Sequence, residues 1–317
     1  MSTLKLKTVS GGSVSLTPAD TASDLTYTVL PDGDSGGSAL VGYLPAGTGA
    51  VATTVQTKLR ESVSVLDFGA VGDGVTDDTP AFNAAILAVF NAGGGNVPIP
   101  PSVSHYKING CVYVKKGVNI LAYGATVKRY HAKEIANQAF QLDGNNIIAG
   151  MTYDGNATGI ADPSNFVLYH DFNCGATLGG ADEFFKFESC TFIDSPGSVI
   201  LPSSGVRDLM VTGNKFYDYL DHCVYVGGYS YSIGDPQNVT ITGNTFRGNA
   251  SITREAIKSR NGLDGLLVSG NSFFLPAGRC VTVDTGDVSE ANRKATRVDV
   301  VGNNAICQTF VQNTGSF

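Results

Sequence analysis

LMVTGNKFY at 209–217, VTITGNTFR at 239–247, LLVSGNSFF at 266–274 and VDVVGNNAI at 298–306 are four copies of one pattern. Their Gly-Asn pairs, Gly213-Asn214, Gly243-Asn244, Gly270-Asn271 and Gly302-Asn303, follow one another at separations of 30, 27 and 32 residues. Self-similarity at a period of about 20 to 50 residues marks a stacked architecture, in which each unit buries its apolar face against the next. Before each pair, Val, Ile, Leu, Thr and Ser alternate, which is strand chemistry. After it an apolar or small residue, Phe216, Phe246, Phe273 or Ala305, resumes the core side. Gly gives the backbone freedom for a sharp bend, and Asn is expected to help by tolerating left-handed geometry.

Working outward, FESCTFI at 187–193 is a weaker copy with Ser189-Cys190 at its corner, and IAGMTYD at 148–154 is another. The count is about six coils of roughly 25 to 35 residues, stacked at the ~4.8 Å spacing of neighbouring strands. The L-x-x-L-x-L spacing of leucine-rich repeats and the W-D signature of propellers are missing, so the pattern predicts an all-β parallel β-helix. Function then belongs on the outside of the stack.

Composition is consistent with this. Gly accounts for 39 of 317 residues, Trp is absent, 15% of residues are charged and 42% hydrophobic. A net charge of −7 with no basic stripe argues against a nucleic-acid partner. STLKLKTVSGGS after Met1 does not read as a signal peptide, and no 18-residue apolar run predicts membrane insertion. Cys111, Cys174, Cys190, Cys223, Cys280 and Cys307 lack CxxC spacing and are read as reduced, core-facing thiols of a protein made in a reducing cytoplasm. No metal site and no cofactor is expected.

Residues 8–57 contain no Lys or Arg and carry short alternating runs, VSL, LTYTVL and ALVGYL, separated by turn signals such as PDGDSGG. They read as a small β-rich module over 1–53, an arm that orders on a partner, or a flexible leader. VATTVQTKLRES at 51–62 reads as a short helical connector inside a neck at 54–66. In SVSVLDFGAVGDGVTDDTPAFNAAILAVFNAGGG, 62–95, Asp77, Asp78 and Thr79 precede Pro80, a favoured first helical position. Phe82, Ile86, Val89 and Phe90 then recur at helical spacing until Gly93–Gly95, predicting a helix near 80–92 that caps the open end of the first coil. Asp67, Asp73, Asp77 and Asp78 are read as turn and cap residues.

LDFGAVGDGVTDDTPAF together with GGGNVPIPPSVSHYKINGCVYVKKGVNILAYGATV, 93–127, resembles the entry segment of the pectate-lyase-like right-handed parallel β-helices. TVQTKLRESVSVLDFGAVGDGVTDDT, 54–79, is similar to the neck of bacteriophage tailspikes. The resemblance implies an N-terminal particle-binding module at 1–53, the neck at 54–66, a β-helix entry and cap at 67–135 and coils over 136–317. It further implies a homotrimer joined by its N-termini to phage tail or baseplate proteins, located in the virion and acting on host capsule, O-antigen or exopolysaccharide. It specifies fold and viral context, not substrate, and carries no catalytic motif. VQNTGSF ends the chain without an evident trimerisation region, so the chain is either part of a longer protein or a shortened spike.

Using the corners as a ruler aligns DHCVYVGG, 221–228, with REAIKSRN, 254–261, and RCVTVDTGD, 279–287. Val224, Ile257 and Val281 then point inward, as do Val226, Ser259 and Val283; Tyr225, Lys258 and Thr282 face out, as do Gly227, Arg260 and Asp284. His222, Glu255 and Arg279 fall in neighbouring coils, giving a mixed-charge strip on one exterior face. A glycoside hydrolase needs two carboxylates about 5 to 9.5 Å apart, which adjacent or next-but-one coils supply. The candidates are Glu255, Asp284, Asp221 and Asp218. A lyase needs a base and charge neutralisation, for which Lys258, Arg260 and His222 qualify. Tyr217, Tyr219, Tyr225, Tyr229 and Tyr231 are candidates to line a saccharide groove. The bland alternatives are cross-strand pairs, Glu255 with Arg279 and Arg260 with Asp284, and inward-packed tyrosines. Three functions compete: a depolymerising tailspike, a non-catalytic tail adhesin of the same fold, and a cellular polysaccharide lyase or polygalacturonase.

Overall fold

The computed structural model describes residues 41–132, 138–160, 169–175, 183–202, 206–227, 236–249, 251–260, 263–283 and 295–313. It divides into two compact units, 1–62 and 63–317. In the first, Gly42–Tyr43 pairs antiparallel with Thr53–Thr54, and the helix Val55–Leu59 follows, capped by the Thr54 hydroxyl accepting from the Thr57 amide at 3.1 Å. Most of the expected N-terminal module, 1–40, lies outside the described residues.

The second unit is a parallel β-helix of three faces. One face stacks eight strands in chain order: Gly95–Pro98, Val118–Leu121, Asn146–Ala149, Glu183–Glu188, Val206–Thr212, Gln237–Thr242, Leu263–Ser269 and Ala295–Val301. Six of these carry the corner segments of the repeat, and the first two come from the entry segment. A second face runs from Tyr106–Ile108 through Thr126–Arg129, Thr152–Asp154, Thr191–Ser195, Lys215–Tyr219 and Thr245–Arg247. A third runs from Val112–Val114 through Gln138–Leu142, His170–Cys174, Ser198–Pro202, Val224–Val226 and Glu255–Ser259. The long strand Ser272–Val283 bends across both, and Asn304–Asn313 pairs along it.

The corners are built differently from the expectation in one respect. Gly213, Gly243, Gly270 and Gly302 take the left-handed conformation, with φ of 67, 66, 63 and 63°. The asparagines are therefore released from that duty and turn their amides inward. Asn244 donates from Nδ2 to the Val211 carbonyl at 2.8 Å and to Asn271 Oδ1 at 3.0 Å, while its own Oδ1 accepts from the Asn214 amide at 2.8 Å. Asn214 and Asn271 repeat the arrangement, and Asn303 closes it, making a ladder of buried amides parallel to the stack. Beside it Phe192, Phe216, Phe246 and Phe273 stack at 4.8 to 4.9 Å between ring centroids. Corner and core thus share one period. A Cβ on Gly243 would meet nothing within 4 Å, so Gly243→Ala should cost only the left-handed conformational penalty, about 1–2 kcal/mol, in a denaturant melt. A loss above twice that would mean the corner is crowded.

The first coil is closed by the helix Thr79–Asn91, which buries Ala81, Phe82, Ala85, Ile86 and Val89. Phe90 is exposed, because eight residues beyond Phe82 it has drifted round to the outer side of the helix. Asn83 does what the apolar stripe cannot: its side chain donates to the Cys111 carbonyl at 3.1 Å and accepts from the Tyr113 amide at 2.8 Å, pairing the edge strand Val112–Val114. Asp73 and Asp77 serve the turn as expected. Asp78 is the N-cap residue but makes no capping bond, accepting instead from the amides of Val71 at 2.7 Å and Lys107 at 3.2 Å, which ties the entry loop to the second face. All six cysteines are unbridged, five of them buried. No helix among the described residues is long and apolar enough to cross a membrane.

Candidate functional site

On the third face the register matches the alignment drawn from the corners: Val224 pairs with Ile257 and Ile257 with Val281, Tyr225 with Lys258 and Thr282, Val226 with Ser259 and Val283, and Glu255 with Arg279. What differs is exposure. The strip expected to be solvated is buried, with Asp221 3%, His222 4% and Glu255 2% exposed. Tyr225 and Thr282 are buried too, Lys258 is half-buried and Arg260 exposed. Asp284, Tyr229 and Tyr231 lie outside the described residues.

His222 is the centre of this buried cluster. Its Nε2 bonds Glu255 Oε2 at 3.1 Å, and Asp221 Oδ2 lies 2.7 Å from Nδ1, an ion-pair contact off the line of a hydrogen bond. Tyr225 stacks on the imidazole at 5.0 Å. The carboxylates are anchored in turn. Ser198 Oγ donates to Asp221 Oδ2 at 2.8 Å, Arg279 reaches Glu255 Oε1 at 2.9 Å, and Arg254 Nε stands 3.9 Å from Asp221 Oδ1. Burial alone would push the imidazole pKa down, but Asp221 and Glu255 outweigh it and hold His222 above its ordinary value. Burial likewise opposes ionisation of Asp221, yet His222, Ser198 and Arg254 bring it below the usual range. For Glu255, His222, its own backbone amide and Lys258 overcome burial and bring it down to about 2. The two carboxylates thus favour the charged form of the imidazole between them.

The open surface lies on the second face. There two neighbouring strands each end through a left-handed aspartate: Asp194 has φ 49° and Asp218 has φ 50°. Ile193 pairs with Tyr217 and Ser195 with Tyr219, so the two aspartates sit opposite each other in adjacent coils. Non-glycine residues rarely adopt this conformation, although Asp tolerates it better than most. Around them two adjoining depressions form a groove. One, of about 440 Å³, is lined by Tyr217, Asp218, Arg247, Gly248, Asn249 and Phe274. The other, of about 360 Å³, shares Asp218 and Asn249 and extends past Asp194, Thr158 and Tyr219 to Arg254. Asn249 donates to Asp218 at 3.1 Å, the Thr158 hydroxyl to Asp194 at 3.0 Å, and the Arg247 guanidinium lies 5.5 Å from the centre of the Phe274 ring. Tyr217, Arg247 and Phe274 are register partners on successive coils, which places apolar faces and polar tips along the stack axis.

Of the sequence candidates, Asp218 lines the groove, Tyr219 borders it but packs its side chain fully into the core as the inward alternative had it, Asp221, His222, Glu255 and Tyr225 form the buried cluster, and Lys258 and Arg260 belong to the third face. Arg254 links the two regions. Asp194, Arg247, Asn249 and Phe274 escaped the reading. Arg247 and Phe274 could have been found from the repeat, because TFR and SFF follow the Gly-Asn corners and end at the position of Tyr217.

A fold of this kind with an exterior groove defines a pectate-lyase-like β-helix. Residues 62–278 match the family model described as rhamnogalacturonase A/epimerase, pectate lyase-like, and the chain belongs to that family, as right-handed parallel β-helix. It is 27% identical over 248 residues to mannuronan C5-epimerase AlgE1 of Azotobacter vinelandii, covering 70% of this chain and 17% of that protein. It is 37% identical over 91 residues to the tail spike protein of Shigella phage Sf6, covering 28% of this chain and 15% of that protein. Among solved structures, the AlgE4 A-module of Azotobacter vinelandii aligns with a TM-score of 0.39 at 15% identity, over 81% of this chain and 100% of that one. The tailspike protein of E. coli bacteriophage HK620, in complex with a pentasaccharide, aligns with a TM-score of 0.42 at 15% identity, over 89% and 68%. The matches thus span under a fifth of the length of the epimerase and of the Sf6 tail spike.

Proposed function

We propose that this chain is a bacteriophage tailspike or tail fibre protein whose β-helix recognises a host-surface polysaccharide in the groove of the second face. The observation that carries the reading is the groove itself: Tyr217 and Phe274 offer ring faces, and Asp194, Asp218 and Asn249 offer acceptors and donors for sugar hydroxyls. Membership of a pectate-lyase-like family and the similarity to the Sf6 tail spike support it. In this proposal three chains assemble side by side, the N-terminal residues join the tail, and the protein resides in the virion.

If the groove also cuts, Asp218 with Asp194 supplies the carboxylates, since neighbouring coils at ~4.8 Å approach the 5–5.5 Å separation of retaining glycosidases. Asp221 and Glu255, ionised and buried against Arg254 and Arg279, hold the strands behind it. The test is calorimetric titration of the protein with Shigella O-polysaccharide and with mannuronan oligosaccharides, alongside assays for new reducing ends and for unsaturated uronate absorbance. Tyr217→Ala and Phe274→Ala should each weaken binding by about 1–2 kcal/mol, roughly 5- to 30-fold. Asp194→Asn with Asp218→Asn should abolish any release of reducing ends while binding survives. Full affinity in both aromatic variants would move the site elsewhere.

A further inference from the structure

The first coil turns from the strand Tyr106–Ile108 to the strand Val112–Val114 through Asn109-Gly110. The Asn109 side chain is exposed, and neither its amide nor the Gly110 N–H makes a hydrogen bond with any other described residue. Gly110 also brings no Cβ to shield its nitrogen. The corner ladder is the contrast. Asn214, Asn244 and Asn271 are buried, with the oxygen and the nitrogen of each amide bonded. We propose that Asn109 is a site of spontaneous deamidation, and that its conversion loosens the helix closing the first coil.

The Gly110 nitrogen attacks Cγ of Asn109 and closes a cyclic imide. The Cγ–Nδ2 bond breaks, and Nδ2 leaves as ammonia with the proton that Gly110 gives up. Because the attacking nitrogen must lose that proton, alkaline pH speeds the step. Water then opens the ring: cleavage at Cγ gives aspartate, and cleavage at the main-chain carbonyl gives isoaspartate. Either product disturbs the attachment of the cap. The Asn109 N–H bonds Asp77 Oδ1 at 3.2 Å and Thr79 Oγ1 at 2.9 Å, at the N-terminus of the helix Thr79–Asn91. A carboxylate at position 109 adds a like charge to the residue that bonds Asp77. Isoaspartate also routes the main chain through the former side chain, which lengthens it between the two strands. Asn83 of the same helix bonds the Cys111 carbonyl and the Tyr113 amide just beyond. The helix is thus held on both sides of the altered link, and the two attachments no longer match.

The experiment ages the full chain at pH 9 and 37 °C, maps the peptide 108–115 released by cleavage after Lys107 and Lys115, and follows the melting temperature. The synthetic peptide of the same sequence gives the unfolded rate. Asn109 should convert within about tenfold of that rate while Asn214, Asn244 and Asn271 stay intact, and the aged protein should melt a few degrees lower. Gly110→Ala is compatible with the fold, because its backbone is not left-handed and a Cβ there meets only Thr79 Cγ2, at 3.5 Å. It should convert more slowly by about tenfold or more and keep its melting temperature on ageing. Asn109→Ser, which has no amide to lose, should also keep it. That variant controls for the chain's other Asn-Gly pair, Asn261-Gly262, which lies outside the described residues. Protection of Asn109 by more than about tenfold over the free peptide overturns the site. A melting temperature unchanged by conversion, or one that falls equally in Asn109→Ser, overturns its effect on the cap.

Discussion

Asn244→Ala should destabilise the β-helix by about 4 kcal/mol in chemical unfolding. The substitution removes little apolar area, so the loss comes from the partners left behind. The Val211 carbonyl, the Asn214 amide and the Asn214 side chain all lose a bond inside the stack, and a buried polar group without a partner costs about 1–3 kcal/mol. The three are coupled through one side chain, so the total falls short of their sum. Asn303 supplies the comparison. It makes the same kinds of bond in the last coil but is only half-buried, so water can take the place of the missing amide. Asn303→Ala should cost about 1–2 kcal/mol. Equal losses at the two rungs would mean the ladder is incidental to stability.

Glu255→Ala should cost about 3–5 kcal/mol, because it leaves the buried His222 with one carboxylate and takes the partner from Arg279. Glu255→Gln, which keeps the side-chain volume and one acceptor oxygen for either His222 or Arg279, should lose less. The same cluster predicts the shape of the pH profile. His222 is raised in the folded protein, so its contribution is complete below about 6.5 and is lost as the pH climbs through its folded value. Asp221 and Glu255 are lowered, so theirs is complete above about 4.5 and is lost as the pH falls, for Glu255 toward about 2. Stability should therefore peak between about 4.5 and 6.5 and decline on both sides. Replacing Glu255 by Gln should flatten the acid limb. A melting profile that is level from pH 6 to 9 would exclude a charged His222 at the centre of the cluster.

The periodic part of this fold was legible in the sequence. Gly-Asn spacing located the corners, and the corners gave the strand register correctly across three coils, from Val224 through Ile257 to Val281. Phe216, Phe246 and Phe273 were placed inside for the same reason. Where the reading stopped, the cause was packing between coils. Nothing local to Asn214 says that its amide has a matching amide one coil away. A strip with Asp221, His222, Glu255 and Arg279 looks like a solvated face in one dimension, and only the mutual pairing of these groups makes their burial tolerable. The groove was half seen. Tyr217 and Asp218 stood out, while Arg247 and Phe274 needed the register to be recognised as the next rungs of the same line. Asp194 was hidden because a left-handed aspartate has no sequence signature of its own.

The amide ladder also says something about length. Every rung presents the same oxygen to the coil before it and the same NH₂ to the coil after it, so neighbouring units are interchangeable in their bonding. Excising the 27 residues from Asn244 to Gly270 would bring Asn271 next to Asn214 with both hydrogen bonds available, and Phe273 next to Phe216. A protein built this way can be lengthened or shortened by whole units without redesigning its ladder of amides and rings, although this particular unit also carries Glu255, the buried partner of His222. The groove would pay for such an edit, since Arg247 and Asn249 travel with that unit, and the frame and the recognition surface are thereby free to diverge at different rates.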